Sequence, residues 1–367
     1  MSRRIREGTR DTPRIYLSFS AYPSSLLRIL RDTPSKMPAA FFKGKDLPLE
    51  VKEMKQPVPV KDQVLVKLHA ASLNHRDVWI CHEQTAVSDN GIILGSDGAG
   101  VVEAVGEEGD QSLIGKQVII NPSLEWGKDP AFQADSFKIL GYPDNGTFAS
   151  WIVISKKYIH DKPEHLTLEE AAAVPLSALT AYRALFTKAR VRPGEKVLIT
   201  GVGGGTALWA LQLAVGFQAK VYVTSSSQEK IERATLLGAV GGFNYKATNW
   251  VDEAKKNARA FDVIIDSAAG PQFRSLLEVA APGARIVVFG RTAGDITDIP
   301  PRILFNKQLS IQGSLMGTRD EFLSMLDFIE KKNIKPVIDV TYPLSQVNEA
   351  MKHMESARQF GKILLKI

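Results

Sequence analysis

The stretch from Lys196 to Ala214, KVLITGVGGGTALWALQLA, constrains this chain more than any other: an apolar strand runs through a glycine cluster straight into an apolar helix. Val197, Leu198 and Ile199 read as a short strand buried on both faces, as in a parallel sheet. Gly201, Gly203, Gly204 and Gly205 follow. Glycines admit backbone angles closed to other residues and let the main chain approach a ligand. From Thr206 the pattern turns helical, and the free N–H groups that open a helix attract anions. The spacing Gly201-x-x-Gly204-x-x-Ala207 is one residue looser than G-x-G-x-x-G, with Ala207 where a third glycine normally permits close helix packing. Taken alone, the turn fits a dinucleotide pyrophosphate, another nucleotide-type ligand such as a methyl donor, or a purely structural role.

Neighbouring sequence narrows these. The next strand, residues 220–224, ends in Ser225, Ser226 and Ser227, where NAD-binding chains usually carry an acid that bonds the ribose 2′-hydroxyl. An Asp there would repel a 2′-phosphate by roughly 1 to 4 kcal/mol at about 4 Å. Hydroxyls tolerate that phosphate, Lys230 and Arg233 supply cations, and Asn244 and Tyr245 flank the same spot. The charge pattern predicts NADP(H). The competing reading is a solvated helix start with a serine N-cap and surface cations.

Strands at 196–200, 220–224, 261–266 and 284–289 alternate with helical segments at 206–217, 228–237, 250–258 and 271–280, which predicts a doubly wound parallel sheet. Between Phe41 and Tyr158, short strands at 64–70, 100–105, 117–120 and 150–154 predict a compact antiparallel β-domain. Thr167 and Glu170 form a capping box before an alanine-rich helix, and a second helix is expected near 179–189. Thr318 and Glu321 cap another, with Phe322, Leu326 and Ile329 on one face.

The 367 residues, 44% hydrophobic and 23% charged, suffice for two domains with cores. No apolar run approaches the ~20 residues of a membrane span. A lone cysteine, Cys81, excludes intrachain disulfides and multi-cysteine zinc sites, and fits a reducing compartment. The net charge of +6 invites a nucleic-acid reading, but eight basic and three acidic residues within 1–36 account for +5 of it, so the body is nearly neutral. Residues 1–37 read as a basic extension, disordered or targeting, with prolines at 13, 23 and 34 and a candidate alternative start at Met37. The expected location is cytoplasmic, or mitochondrial if that extension is an address. The expected partner is a small-molecule substrate, with neither nucleic acid nor membrane.

Ala71–Asp77 (ASLNHRD), Leu94–Glu103 (LGSDGAGVVE), Ala171–Pro175 (AAAVP), Leu179–Tyr182 (LTAY), the glycine turn, Asp266-Ser267 and Gly361-Lys362 occur in that order. Together they resemble the medium-chain dehydrogenase/reductase superfamily over residues 38–367, and most of all its zinc-free quinone-oxidoreductase-like branch. The resemblance implies a GroES-like β-domain, residues 38–178 and 318–367, with a Rossmann NADP-binding domain, 179–317, inserted into it. The cofactor then lies in the cleft between them. Zinc enzymes of this superfamily carry a cysteine where this chain has Asn74, Gly-His-Glu where it has Gly95-Ser96-Asp97, and a second cysteine near Leu176; residues 121–147 also lack the cysteines of a structural zinc lobe. No metal is expected, since these side chains cannot supply converging ligands. His75, His82 and Asp97 are a remote substitute set.

Without a metal, a quinone or α,β-unsaturated carbonyl is the easier hydride acceptor, because its developing charge delocalises. The resemblance implies that Asn74 and Thr180 line the nicotinamide end and act in catalysis. It implies cofactor contacts at Gly201, Gly204, Gly205, Thr206, Phe289 and Gly290, carboxamide contacts at Ser314 and Leu315, and Lys362 near the phosphates, beside Ser225, Ser226, Lys230 and Tyr245. Arg76 and Asp77 are expected to form a loop-ordering ion pair, and Tyr182 to be core. No residue announces itself as a proton donor. The alternatives are an NADPH-binding protein with little catalysis and a zinc-type alcohol dehydrogenase. Acceptor choice falls to the loop 121–146, whose Trp126, Phe132, Phe137 and Tyr142 have no geometry legible in sequence. A homodimer pairing a strand near 310–313 is compatible with the family.

Overall fold

A computed structural model describes residues 36–84 and 90–367; apart from Lys36 and Met37, the basic extension lies outside them. The glycine turn leaves the central strand of a six-stranded parallel sheet. Its order is Gly241–Asn244, Lys220–Ser225, Lys196–Ile199, Phe261–Asp266, Ala280–Val288, Ser310–Gly313. Lys196–Ile199 and Phe261–Asp266, the first and fourth strands of this sheet in chain order, are neighbours, so the direction of winding reverses between them and opens a crevice at their carboxyl ends.

Alternation assigns the sheet's side chains to two apolar layers. Val197, Ile199, Val223 and Ile265 pack on one face with helix Gly205–Gly216, while Leu198, Tyr222, Ile264 and Ile286 pack on the other with helices Trp250–Ala258 and Phe273–Val279. Val197 to Ile199 are fully buried, as expected for a doubly covered strand.

The remaining strands form a mainly antiparallel body. Its long strand Gln63–Ser72 pairs with Asp97–Val105, with Trp151–Ser155 and with the C-terminal strand Lys362–Lys366, so the chain's end returns to its beginning. The two bodies share one apolar cluster, in which Ala70, Ala99 and Ile119 join Val197, Leu208 and Phe322. Trp209, 1% exposed, donates its indole N–H to the Ala173 carbonyl at 3.1 Å and so ties helix Gly205–Gly216 to the antiparallel body.

Both capping boxes form: Thr167 Oγ1 accepts from Glu170 N at 3.1 Å, and Thr318 Oγ1 from Glu321 N at 3.1 Å. Phe322, Leu326 and Ile329 are buried on one face. The helix expected near 179–189 instead begins at Pro175, whose fixed φ suits a first helical position, and continues from Arg183 to Lys188 as a widened π-turn. Among the described residues, no helix is long and apolar enough to cross a membrane.

Candidate active site

The crevice is built from strand ends. Thr200 Oγ1 donates to Asp266 Oδ1 at 2.6 Å and accepts from Ser267 N at 3.0 Å, which locks together the two strands flanking the reversal. Gly201 and Gly203 take φ of 66° and 130°, the region that favours glycine. A Cβ at Gly201 would stand 2.9 Å from Ser267 Oγ, and one at Gly205 2.6 Å from Lys362 Cδ. Gly204 caps the helix with only a distant backbone oxygen near it. Gly201, Gly204, Gly205 and Thr206 all stay partly exposed. This bare backbone at the mouth of a twelve-residue helix fits a pyrophosphate.

The expected ribose-end residues converge beside it. Lys230 Cδ and Nζ lie 3.0 and 3.2 Å from where a Gly203 Cβ would be, and its ammonium donates to the Ala357 carbonyl at 2.9 Å. Partial burial holds its pKa below the ordinary lysine value. Arg233 stacks on the Phe360 ring at 4.1 Å. Ser226 is exposed, whereas the Ser225 hydroxyl is buried and accepts from Ser227 N at 3.1 Å. Ser227 in turn caps the next helix, accepting from Lys230 N at 3.3 Å. Tyr245 is half-buried, its N–H on the Ser225 carbonyl at 3.2 Å. On the other side of the reversal, Phe289 N donates to Asp266 O at 3.0 Å, and a Cβ at Gly290 would stand 2.5 Å from Ser267 O. Ser314, whose buried hydroxyl has no partner among the described residues, and exposed Leu315 follow the neighbouring strand.

Lys362 departs from its expected place among phosphate-binding groups. Its ammonium, 3% exposed, turns under Gly205 and donates to Leu73 O (2.7 Å), Asn74 Oδ1 (2.7 Å), Asp97 Oδ2 (3.0 Å) and Ser177 Oγ (3.3 Å). With three hydrogens facing four acceptors, it has none left for a phosphate. Asn74 Nδ2 donates to Asp97 Oδ2 at 2.9 Å, Ser72 Oγ to the same oxygen at 3.0 Å, and Leu176 N to Asp97 Oδ1 at 2.8 Å. Sequence reasoning missed Asp97, Ser72 and Ser177 as members of this cage. The available signal was a lysine immediately ahead of the apolar run Ile363 to Leu365 and an acid inside the glycine-rich 95–100 stretch.

Arg76 does not pair with Asp77: it donates to Ser96 Oγ at 2.8 Å and Leu140 O at 3.0 Å. Asp77 lies fully buried, accepts from Asn74 N at 2.8 Å and, among the described residues, leaves Oδ1 without a partner; burial pushes its pKa up to about 6. Thr180 is 7% exposed, and its hydroxyl donates to Leu176 O at 2.8 Å within its own helix. The loop 121–146, whose geometry is not legible in sequence, is pinned: Arg183 stacks on Trp126 at 4.7 Å, donates to the Pro130 and Ala131 carbonyls, and pairs with Glu321 at 2.7 Å. Phe132 remains exposed, and Tyr182 packs at the edge of the core with Phe186. Across the cleft, Arg291 pairs with Glu83 at 3.0 Å and lies 5.6 Å from the Trp79 ring, which His75 meets edge-on.

The positions that carry zinc ligands in related enzymes do not fit a metal. Asn74 and Asp97 are committed to Lys362, Ser96 Oγ donates to Leu140 O at 2.7 Å, and Leu176 offers a backbone N–H. His82 bonds Asp46 and Glu355 on its two nitrogens, away from Asp97. Among the described residues, no three His, Cys, Asp or Glu side chains converge to hold an ion.

Comparison with known proteins gives the same class. Residues 60–164 match the family described as alcohol dehydrogenase GroES-like domain, and 205–331 that described as zinc-binding dehydrogenase. A zinc-type alcohol dehydrogenase-like protein of Leptosphaeria maculans is 34% identical, over 87% of this chain and 95% of its own length. Human quinone oxidoreductase is 30% identical over 84% of this chain and 90% of its own. A crystal structure of an NAD-dependent alcohol dehydrogenase superposes with a TM-score of 0.84 at 34% identity, covering 90% of this chain and 99% of that one. A crotonyl-CoA carboxylase/reductase in complex with NADP superposes at 0.80 with 25% identity, covering 91% and 95%. The chain belongs to the medium-chain dehydrogenase/reductase superfamily, a family of nicotinamide-dependent oxidoreductases.

Proposed function

We propose that the chain is an NADPH-dependent, zinc-independent reductase acting on quinones or α,β-unsaturated carbonyls, with residues 38–178 and 318–367 as its catalytic unit and 179–317 as its cofactor unit. The observation that carries this reading is the Lys362 ammonium bonded to Asn74 and Asp97. Two unit charges about 4 Å apart repel by about 4 kcal/mol at an effective dielectric of 20, so a divalent ion beside that ammonium meets about twice as much. A site with a fixed monocation and amide and hydroxyl donors suits acceptors whose charge spreads by conjugation.

When bound, NADPH supplies the hydride. Gly201, Gly204, Gly205 and Thr206 would hold its pyrophosphate on free backbone N–H groups. The missing acid at the end of strand 220–225, with Lys230 and Arg233 nearby, favours a 2′-phosphate. Phe289, Gly290, Ser314 and Leu315 would border the nicotinamide. Asn74 would meet the acceptor through the amide, and Thr180, with its hydroxyl donated inward, would contribute packing beside Met316. We also infer a homodimer joined through the edge strand Ser310–Gly313, which among the described residues pairs on one side only.

The test is NADPH oxidation by metal-analysed protein against 1,2- and 1,4-quinones, short enals and simple ketones. Turnover of quinones or enals without stoichiometric zinc is expected. Turnover of ketones alone with one zinc per chain, or tight NADPH binding with no turnover of any acceptor, would overturn the reading.

A further inference from the structure

The cage around Lys362 does more than neutralise Asp97. Its partners fix which end of the Asn74 amide points where: an ammonium only donates, so Oδ1 must face Lys362, and a carboxylate only accepts, so Nδ2 must face Asp97. The Ser177 hydroxyl, 3.2 Å from Oδ1, adds a further donor to the carbonyl end. Of the two N–H bonds on Nδ2, one goes to Asp97, and among the described residues the other meets no protein acceptor. Asn74 is 5% exposed and opens the helix His75–Glu83. A cation on an amide oxygen draws charge from the nitrogen and makes its remaining N–H a stronger donor, an effect enhanced in a buried, low-dielectric site. The stem of Lys362 also packs beneath Gly205, which brings the cage against the first turn of the cofactor-side helix.

We propose that Lys362 is a positioning residue: by holding and polarising the Asn74 amide, it aims the free Nδ2–H at the carbonyl oxygen of the hydride acceptor. The proposal rests on the reductase reading above. The hydride and its electron pair pass from NADPH to the acceptor, oxidising the cofactor, and the charge that gathers on the acceptor oxygen is met by that N–H until solvent supplies the proton. Lys362 passes no proton to the acceptor. Acceptors differ in how far they need this help. An enal shares its charge between one enolate oxygen and the α-carbon, whereas a quinone spreads it further, over an aromatic ring, so the enal depends more on the donor.

The test compares the parent with Lys362→Arg, Lys362→Met and the charge-neutral pair Lys362→Met/Asp97→Asn, which leaves no buried charge unpaired. The first readout needs no turnover: the asparagine side-chain ¹⁵N–¹H signals of the resting protein, assigned with Asn74→Ala. The parent should show an Asn74 amide with slow exchange and two distinct protons, and the neutral pair should lose that protection. An unchanged Asn74 signal in the folded neutral pair overturns the proposal whether or not the enzyme turns over. The second readout is the ratio of enal to quinone turnover. The neutral pair should lose about 100-fold in kcat for the enal, the scale for removing one oxyanion donor, while quinone kcat, enal KM and the NADPH Kd move far less. Lys362→Arg should recover part of the enal rate. An equal fall on both acceptors, or a fall explained by lost NADPH affinity, would mark Lys362 as structural and overturn the proposal. A parent that holds the Asn74 amide rigid yet reduces no acceptor would sink the reductase reading and, with it, the role of the aimed N–H.

Discussion

Single side chains in the cleft have measurable consequences. Lys230 stands over the glycine turn beside a strand end that lacks an acid. Lys230→Glu would replace an attraction to a 2′-phosphate with a repulsion, so the NADPH-to-NADH affinity ratio should fall tenfold or more, each tenfold being about 1.4 kcal/mol. Fluorescence titration with both cofactors checks this, and an unchanged ratio would remove Lys230 from the 2′-phosphate site. Asp77 titrates in the other direction from most native carboxylates. Burial raises its folded pKa to about 6 from 3.8, so the folded state holds its proton more tightly. Its favourable contribution is complete below pH 3.8 and is lost as pH rises through 6. Urea unfolding of Asp77→Asn against the parent should therefore favour the variant progressively from pH 4.5 to 7.5. A constant difference across that range would show that Asp77 is ionised in the folded protein at every pH tested.

Among the elements, the helix Arg319–Lys331 concentrates several functions on one acid. Glu321 accepts the Thr318 N–H at 2.7 Å, pairs with Arg183 and receives the Thr187 hydroxyl, so it caps a helix while fixing the π-turn and the 121–146 loop. Arg183 is only 1% exposed. Glu321→Ala strands that buried cation and should cost about 3 to 5 kcal/mol. Glu170→Ala, which removes the other capping-box acid and a more exposed lysine partner, should cost about 1 kcal/mol. Chemical denaturation of the two variants separates them, and equal losses would count against the arginine's dependence on Glu321. Sequence read both capping boxes correctly because S/T-x-x-E carries its own local partner. It had no means of seeing that one of the two acids also reaches a residue 138 positions away.

At the scale of the whole molecule, the Arg291–Glu83 pair joins the two bodies near the outer end of helix His75–Glu83, beside the Trp79 ring. Both side chains are about half exposed, so the pair adds at most about 1 kcal/mol to stability. Glu83→Gln should leave Tm within a degree or two while raising acceptor KM and reducing its dependence on ionic strength, since an exposed pair is screened by salt. A fall in Tm without any change in KM would make the pair a simple brace. By itself, the sequence determined the elements whose causes are local. The glycine turn, the doubly covered strand at 197–199, the capping boxes and the acid-free end of strand 220–225 each depend on residues a few positions apart. Only the tertiary structure decided the buried chemistry. Lys362 meets Asn74 across 288 positions and Asp97 across 265, and a lysine read alone is a surface cation suited to a phosphate. Its real partners exist only once the C-terminal strand has paired with Gln63–Ser72, because a buried charge is tolerated only where the fold brings enough acceptors to it.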